Sequence, residues 1–193
     1  RVVVSTYQAV SGAGNAAMEE LQAQAEAYVR GEAIEAQVLP VKGLPKHYPI
    51  LFNVIPQVDV PVQQGYTKEE WKTIHETQKI FADSSMRITA TTVRVPVMRS
   101  HCESINVETN RKLTAEECRR LFAAAPGIKL VDDLDAQIYP MPLDTSGQDL
   151  VWVGRIREDT SLENGLNLWV AGDQLRKGAA LNAIQIGEYL IAD

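Results

Sequence analysis

Ile88-Thr89-Ala90-Thr91-Thr92-Val93-Arg94-Val95-Pro96-Val97-Met98-Arg99-Ser100-His101-Cys102-Glu103-Ser104-Ile105-Asn106-Val107-Glu108-Thr109 is the stretch that decides the fold. β-Branched residues crowd its first half and predict a strand from Ile88 to Val97. A polar turn follows, and a second strand from Cys102 to Thr109 completes what reads as a hairpin. Upstream, Val2-Val3-Val4-Ser5-Thr6-Tyr7 reads as a buried strand with no turn or cap before it, as though cut from a longer chain. The turn Ser11-Gly12-Ala13-Gly14 leads into a helix whose Met18, Leu21, Ala25 and Tyr28 share one apolar face, with Gly31 as its stop. Pro40, Pro45, Pro49, Pro56 and Pro61 forbid a long helix or central strand over 32–66. Loops remain there, with short edge strands around Leu51 to Val54.

Thr67-Lys68-Glu69-Glu70 is a capping box, in which hydroxyl and carboxylate satisfy each other's backbone N–H. It opens a helix to about Ala82, with Trp71, Ile74, Gln78 and Phe81 inward. A second box, Thr114 to Glu117, opens a helix that Pro126-Gly127 closes. Strand-like pieces follow at 128–131, 151–156 and 166–170. The last helix, about Gln174 to Ile191, carries Leu175, Ala179, Ala180, Ala183, Ile184, Ile186 and Leu190 on most sides and needs cover all round. This order predicts an α+β fold with helices on one face of a mixed, largely antiparallel sheet.

At 193 residues and 45% apolar, the chain can bury one good core. That composition excludes disordered, collagenous and disulfide-knotted classes. Its 19 Lys+Arg against 25 Asp+Glu leave a net charge of -6 and no basic face, so no nucleic-acid partner is expected. No apolar run approaches the roughly 18 residues of a membrane span, so no membrane partner is expected either. Cys102 and Cys118 form no CxxC and have no zinc-type spacing. No metal is expected, and a reduced, cytoplasmic protein fits.

Five groups could carry chemistry, and each has a bland alternative. Gln8 precedes the Ser11-Gly12 turn, which could offer backbone N–H groups to a phosphate or could be only a turn. Glu69, Lys72, Glu76 and Lys79 share a helix face, as a solvated salt-bridged surface also would. Arg94 sits in an apolar, β-branched strand and needs a carboxylate partner, unless the sheet face is wet. His101 lies seven residues on, roughly 23 Å away and on the opposite face of an unbroken strand, at about 3.3 Å per residue. The two can share a site only if Pro96 to Ser100 bends the chain. Gly172-Asp173-Gln174 precedes the last helix, where Asp173 could simply be an N-cap.

Taken together, these pieces resemble the aspartate-semialdehyde dehydrogenase family. The resemblance rests on Ser5-Thr6-Tyr7-Gln8-Ala9-Val10-Ser11-Gly12, Glu69-Glu70-Trp71-Lys72, Val93-Arg94-Val95-Pro96-Val97 through His101, and Gly154-Arg155-Ile156-Arg157. It closes on Gly172-Asp173-Gln174-Leu175-Arg176-Lys177-Gly178-Ala179-Ala180-Leu181-Asn182. The pieces stand in the family's order and cover nearly the whole chain. The implied fold is a glyceraldehyde-3-phosphate-dehydrogenase-like C-terminal domain.

The implied reaction is the NADP-dependent interconversion of aspartyl phosphate and aspartate semialdehyde, in the biosynthesis of lysine, threonine and methionine. By resemblance, His101 is the general acid/base and Arg94 the fork on the substrate carboxylate. Gln8 places the substrate, Glu69 meets its ammonium and Lys72 its phosphate. Ser11, Gly12 and Gln174 contact NADP. The resemblance puts the nucleophilic cysteine and the glycine-rich nucleotide loop outside this sequence. Residues 1–171 would then be a catalytic and dimerisation domain. Residues 172–193 would return to the nucleotide-binding domain as a C-terminal helix. Cys102 stands where many relatives carry Ser, and its side chain should point away from His101. The isolated chain is expected to be an inactive homodimer with weak or no NADP binding. A non-catalytic dimerisation paralogue and an acylglutamyl-phosphate reductase are the alternatives.

Overall fold

The stretch from Ile88 to Thr109 does not form the expected hairpin. In the computed structural model, which describes residues 1–192, β2 (Ile88–Arg94) lies parallel to β1 (Val2–Gln8). β3 (His101–Glu108) instead runs antiparallel to β6 (Gly165–Gly172). A tight hairpin would carry its ladder through the turn, but Pro96 has no N–H to give and Ser100 adopts a left-handed φ of 75°. The chain therefore leaves β2 at Arg94 and pairs again only from His101. The division into two compact units, Arg1–Met98 and the residues from Arg99 on, falls within this break.

In the first unit β1 and β2 pair from Val2 opposite Ile88 to Gln8 opposite Arg94. Helix α1 (Asn15–Arg30) ends on left-handed Gly31, as expected. Its Ala17 and Leu21 join Val10, Leu39, Ile50 and Ile55 in the core. Tyr28, expected inward, is 57% exposed and packs edge-on against Phe52. The third buried α1 position is Gln24. Its amide donates to the Glu35 carbonyl at 2.8 Å and accepts from the Ile50 and Leu51 N–H groups at 3.0 and 2.9 Å. The Gln24 side chain thus supplies part of the pairing that proline denies this segment, and Glu20 accepts from the Gln37 and Val38 N–H groups besides. The edge strands expected around Leu51 to Val54 are absent: Phe52 turns at φ 57°, and Ile55 only bridges Arg94. Helix α2 (Lys68–Ile80) starts on the predicted Thr67–Glu70 box and buries Ile74, whereas Phe81, expected inward, is 68% exposed.

In the second unit the sheet order is β3-β6-β5-β4, with β5 (Val151–Glu158) antiparallel to β6 and parallel to β4 (Ile128–Leu130). Helix α3 (Ala115–Ala124) starts on the predicted Thr114–Glu117 box and lays Cys118 over Val153, Ile156 and Leu166. A short α4 (Pro142–Thr145), absent from the sequence reading, uses proline at its start, where no N–H is needed. Gly154 has a packing reason: a Cβ there would collide with the Val131 carbonyl and sit 2.7 Å from the Pro140 ring. The expected last helix is a π turn (Arg176–Ala180) continuing into α5 (Leu181–Leu190), whose Ile184, Ile186, Tyr189 and Leu190 are exposed. Both parallel and antiparallel pairs occur among these strands, so the fold is α+β with mixed pairing, as the sequence predicts.

Candidate active site

Four of the singled-out residues meet in the first unit. Arg94 ends β2 rather than occupying its middle, and it is 4% exposed. Its Nη1 donates to the Ala9 carbonyl at 2.6 Å, while its Nε is buried without a hydrogen-bond partner. Burial pulls its pKa down to about 10, and the nearby Glu69 carboxylate opposes that fall. Gln8 is its in-register neighbour on β1, 7% exposed. The Gln8 Nε2 donates to Glu69 Oε1 at 3.1 Å, and its Oε1 is buried and unpartnered.

Glu69 reaches this pair because the capping box fixes the first turn of α2. Glu70 is consumed structurally: one oxygen accepts from the Thr67 N–H at 2.7 Å and the other from the Thr92 N–H on β2 at 2.9 Å. That second bond ties the helix start to the strand carrying Arg94. Glu69, next in line, then faces Gln8, and Lys72 one turn on lies 3.5 Å from its other oxygen. The side chain of Glu69 is only 21% exposed, so the stripe is not a uniformly solvated surface, whereas Glu76 and Lys79 are exposed. The result is a buried guanidinium, a carboxylate, an ammonium and an amide, with two orphaned buried polar atoms. Native interiors rarely leave such atoms unpaired, and a bound polar ligand is one way to satisfy them.

Ser11 and Gly12 follow in the first unit as a 3₁₀ turn. Their backbone N–H groups are not waiting for a phosphate: Ser11 donates to the Met98 carbonyl and Gly12 to that of Ala9, both at 3.2 Å. His101 and Gln174 belong to the second unit. His101 opens β3, half-buried and opposite Gly172 on β6. Gln174 follows that Gly by two residues, and its Oε1 accepts from the Ser100 N–H at 3.1 Å. Asp173 is more than an N-cap: beyond accepting from the Leu175 N–H, it binds Arg99 and the Gly147 N–H. Cys102 is 2% exposed and alternates away from His101, and burial pushes its thiol up to about 12. Burial and a raised pKa both work against a nucleophilic role. Cys118 is core.

Sequence reasoning misses Gln24, reads Glu70 only as half of a capping box and reads Ser100 only as part of a bend. The i, i+3 spacing of Leu21 and Gln24 pointed to the first, and the capping box placed the second. The sequence predicts a bend from Pro96 to Ser100, but nothing in it singles out Ser100 as the residue with a left-handed φ.

The mixed α+β arrangement of these strands and helices is that of the semialdehyde dehydrogenases. The model of "Semialdehyde dehydrogenase, dimerisation domain" matches residues 1–177, and the chain belongs to that family. It is 50% identical over 98% of its length to aspartate-semialdehyde dehydrogenase of Bacillus subtilis, and 49% identical over 99% to that of Synechocystis. Over its whole length it superposes with a TM-score of 0.92 and 43% identity on aspartate semialdehyde dehydrogenase II of Vibrio cholerae, described in complex with ASA. The chain spans about half of each: 55%, 54% and 55% of their lengths.

Proposed function

We propose that this chain is the catalytic and dimerisation part of an aspartate-semialdehyde dehydrogenase. The whole protein would take aspartyl phosphate, NADPH and a proton to aspartate semialdehyde, NADP⁺ and inorganic phosphate. The observation that carries this reading is the in-register pair Gln8 and Arg94, each with an orphaned buried atom, beside Glu69 and Lys72. A substrate with a carboxylate, an ammonium and a phosphoryl group presents the complementary charges. Arg94 would clamp the carboxylate as a planar fork. Glu69 would receive the ammonium, Lys72 the phosphate and Gln8 the reacting acyl end. An acylated amine would have no use for Glu69, which disfavours the acylglutamyl-phosphate reductase. Keeping Gln8, Glu69, Lys72 and Arg94 together in the first unit disfavours a non-catalytic paralogue.

His101 is the general acid/base in this reading, because an imidazole titrates near working pH. NADPH would supply the hydride. The chain's own candidates do not make a cofactor site by themselves: the Ser11 and Gly12 N–H groups and Gln174 Oε1 already hold other atoms. They are secondary contacts at most, and the isolated chain should bind NADP weakly or not at all. The partners are a second copy and the small substrate, in the cytoplasm.

The test assays the full-length protein for NADP reduction with aspartate semialdehyde and phosphate, beside N-acylglutamate semialdehyde. Activity confined to the first substrate is expected. Preference for the second, or no activity with either, overturns the assignment.

A further inference from the structure

His101 opens β3 directly after Ser100. Ser100 is wholly buried and holds a φ of 75°, a conformation that costs an L-residue about 1 kcal/mol or more unless its surroundings enforce it. Three contacts do so. The Ser100 N–H donates to Gln174 Oε1 at 3.1 Å. The Ser100 and Ser146 hydroxyls share a hydrogen bond of 3.1 Å. The preceding Arg99 sends its Nε to Asp173 Oδ2 at 2.7 Å.

Asp173 is itself over-determined. It is 1% exposed, its Oδ2 also accepts from the Gly147 N–H at 2.7 Å, and its Oδ1 accepts from the Leu175 N–H at 3.1 Å. Next to these contacts, His101 pairs with Gly172 across β3 and β6. Three consecutive residues, 99 to 101, are therefore matched to three others, 172 to 174. Two of those matches are made by side chains rather than by a ladder. The start of β3 is thus held by two side-chain contacts in addition to its ladder.

We infer that Asp173, Arg99 and Gln174 are positioning residues for His101, locking the left-handed Ser100 turn from which the imidazole is aimed. The inference rests on His101 being the acid/base. It gives Gln174 a role besides cofactor contact and gives the buried Asp173 a purpose that an N-cap would not explain. Misplacing a reacting group by about 1 Å can cost on the order of 100-fold in rate. Loosening the turn should therefore act on kcat.

The test uses the full-length protein with isotope-labelled histidines; this chain contributes three, His47, His75 and His101. Asp173→Asn removes the charge from the Arg99 contact. Ser100→Val places a β-branched residue where φ is positive, and Ser100→Gly accepts that φ freely. Asp173→Asn and Ser100→Val should each lower kcat roughly 10- to 100-fold, with substrate KM within about threefold. In both, the His101 resonances should shift while those of His47 and His75 stay in place. Ser100→Gly should recover most of what Ser100→Val loses. Unchanged kcat and His101 resonances in Asp173→Asn overturn the proposal. So do equal losses in Ser100→Gly and Ser100→Val, or shifts of all three histidines together, which would mark a merely structural network. If Asp173→Asn does not fold, the Ser100 pair decides. Full turnover in His101→Ala would instead sink the acid/base assignment, and the resonance shifts would still report on the turn.

Discussion

Arg94 is a charge buried in the first unit, with its Nη1 bonded to the Ala9 carbonyl and its Nε buried without a hydrogen-bond partner. Burying a guanidinium is unfavourable, and on the proposed function the substrate carboxylate offsets that cost together with Glu69. Arg94→Lys should raise the KM of the whole enzyme for its substrate about tenfold or more and change kcat less, since a point charge replaces a fork. Steady-state kinetics on the two proteins check this, and equal loss in kcat and kcat/KM would contradict it. Cys102 makes the opposite case. With its thiol at about 12 and 2% exposed, it stays protonated at working pH and out of reach. It should resist alkylation at pH 8 in the folded protein, and Cys102→Ser should keep turnover within about threefold. Fast labelling of Cys102 under native conditions would be the contrary result.

At the scale of elements, both helix starts were legible, because a capping box is local chemistry written in four consecutive residues. Thr114→Ala should lower stability by about 1 kcal/mol, read as a shift of the denaturant midpoint. Gly154→Ala should cost at least about 1–3 kcal/mol, since its Cβ meets the Val131 backbone, which cannot swing aside. On β3, burial raises the pKa of Glu103 above its ordinary 4.5. The folded state thus binds that proton more tightly than the unfolded chain, so ionisation costs stability, and the cost grows as pH rises above the ordinary value. Glu103→Gln should therefore raise the melting temperature more at pH 8 than at pH 4. Partner choice between strands was not legible. Nothing local in Ile88 to Thr109 tells that β2 takes β1 and β3 takes β6, because non-local pairing is decided by the rest of the chain. The Leu51 to Val54 edge strands failed similarly, since the segment's backbone is paired by Gln24, more than twenty residues away in α1. Of the candidate site, the resemblance singles out Glu69, Lys72 and Arg94, which the structure places near one another. The bond from Glu70 to the Thr92 N–H and the left-handed φ of Ser100 were not legible.

For the whole molecule, the exposed Ile184, Ile186, Tyr189 and Leu190 of α5 leave apolar surface that a folded domain would normally cover. On the proposed function, a nucleotide-binding domain covers it in the full-length enzyme, and the chain associates in pairs through its sheet. The 193-residue chain should sediment as a homodimer at micromolar concentration, and a clean monomer would count against it. Calorimetry should find no micromolar NADP site on the chain alone. The most direct test is turnover of aspartate semialdehyde by the full-length protein, with NADP and phosphate, in the parent and in His101→Ala. The parent should be active, and His101→Ala should have a kcat lower by roughly 10²- to 10⁴-fold, the range that positioned acid–base catalysis supplies, with substrate binding largely kept. Equal turnover in the two proteins would contradict the assignment of His101 and with it the proposed mechanism.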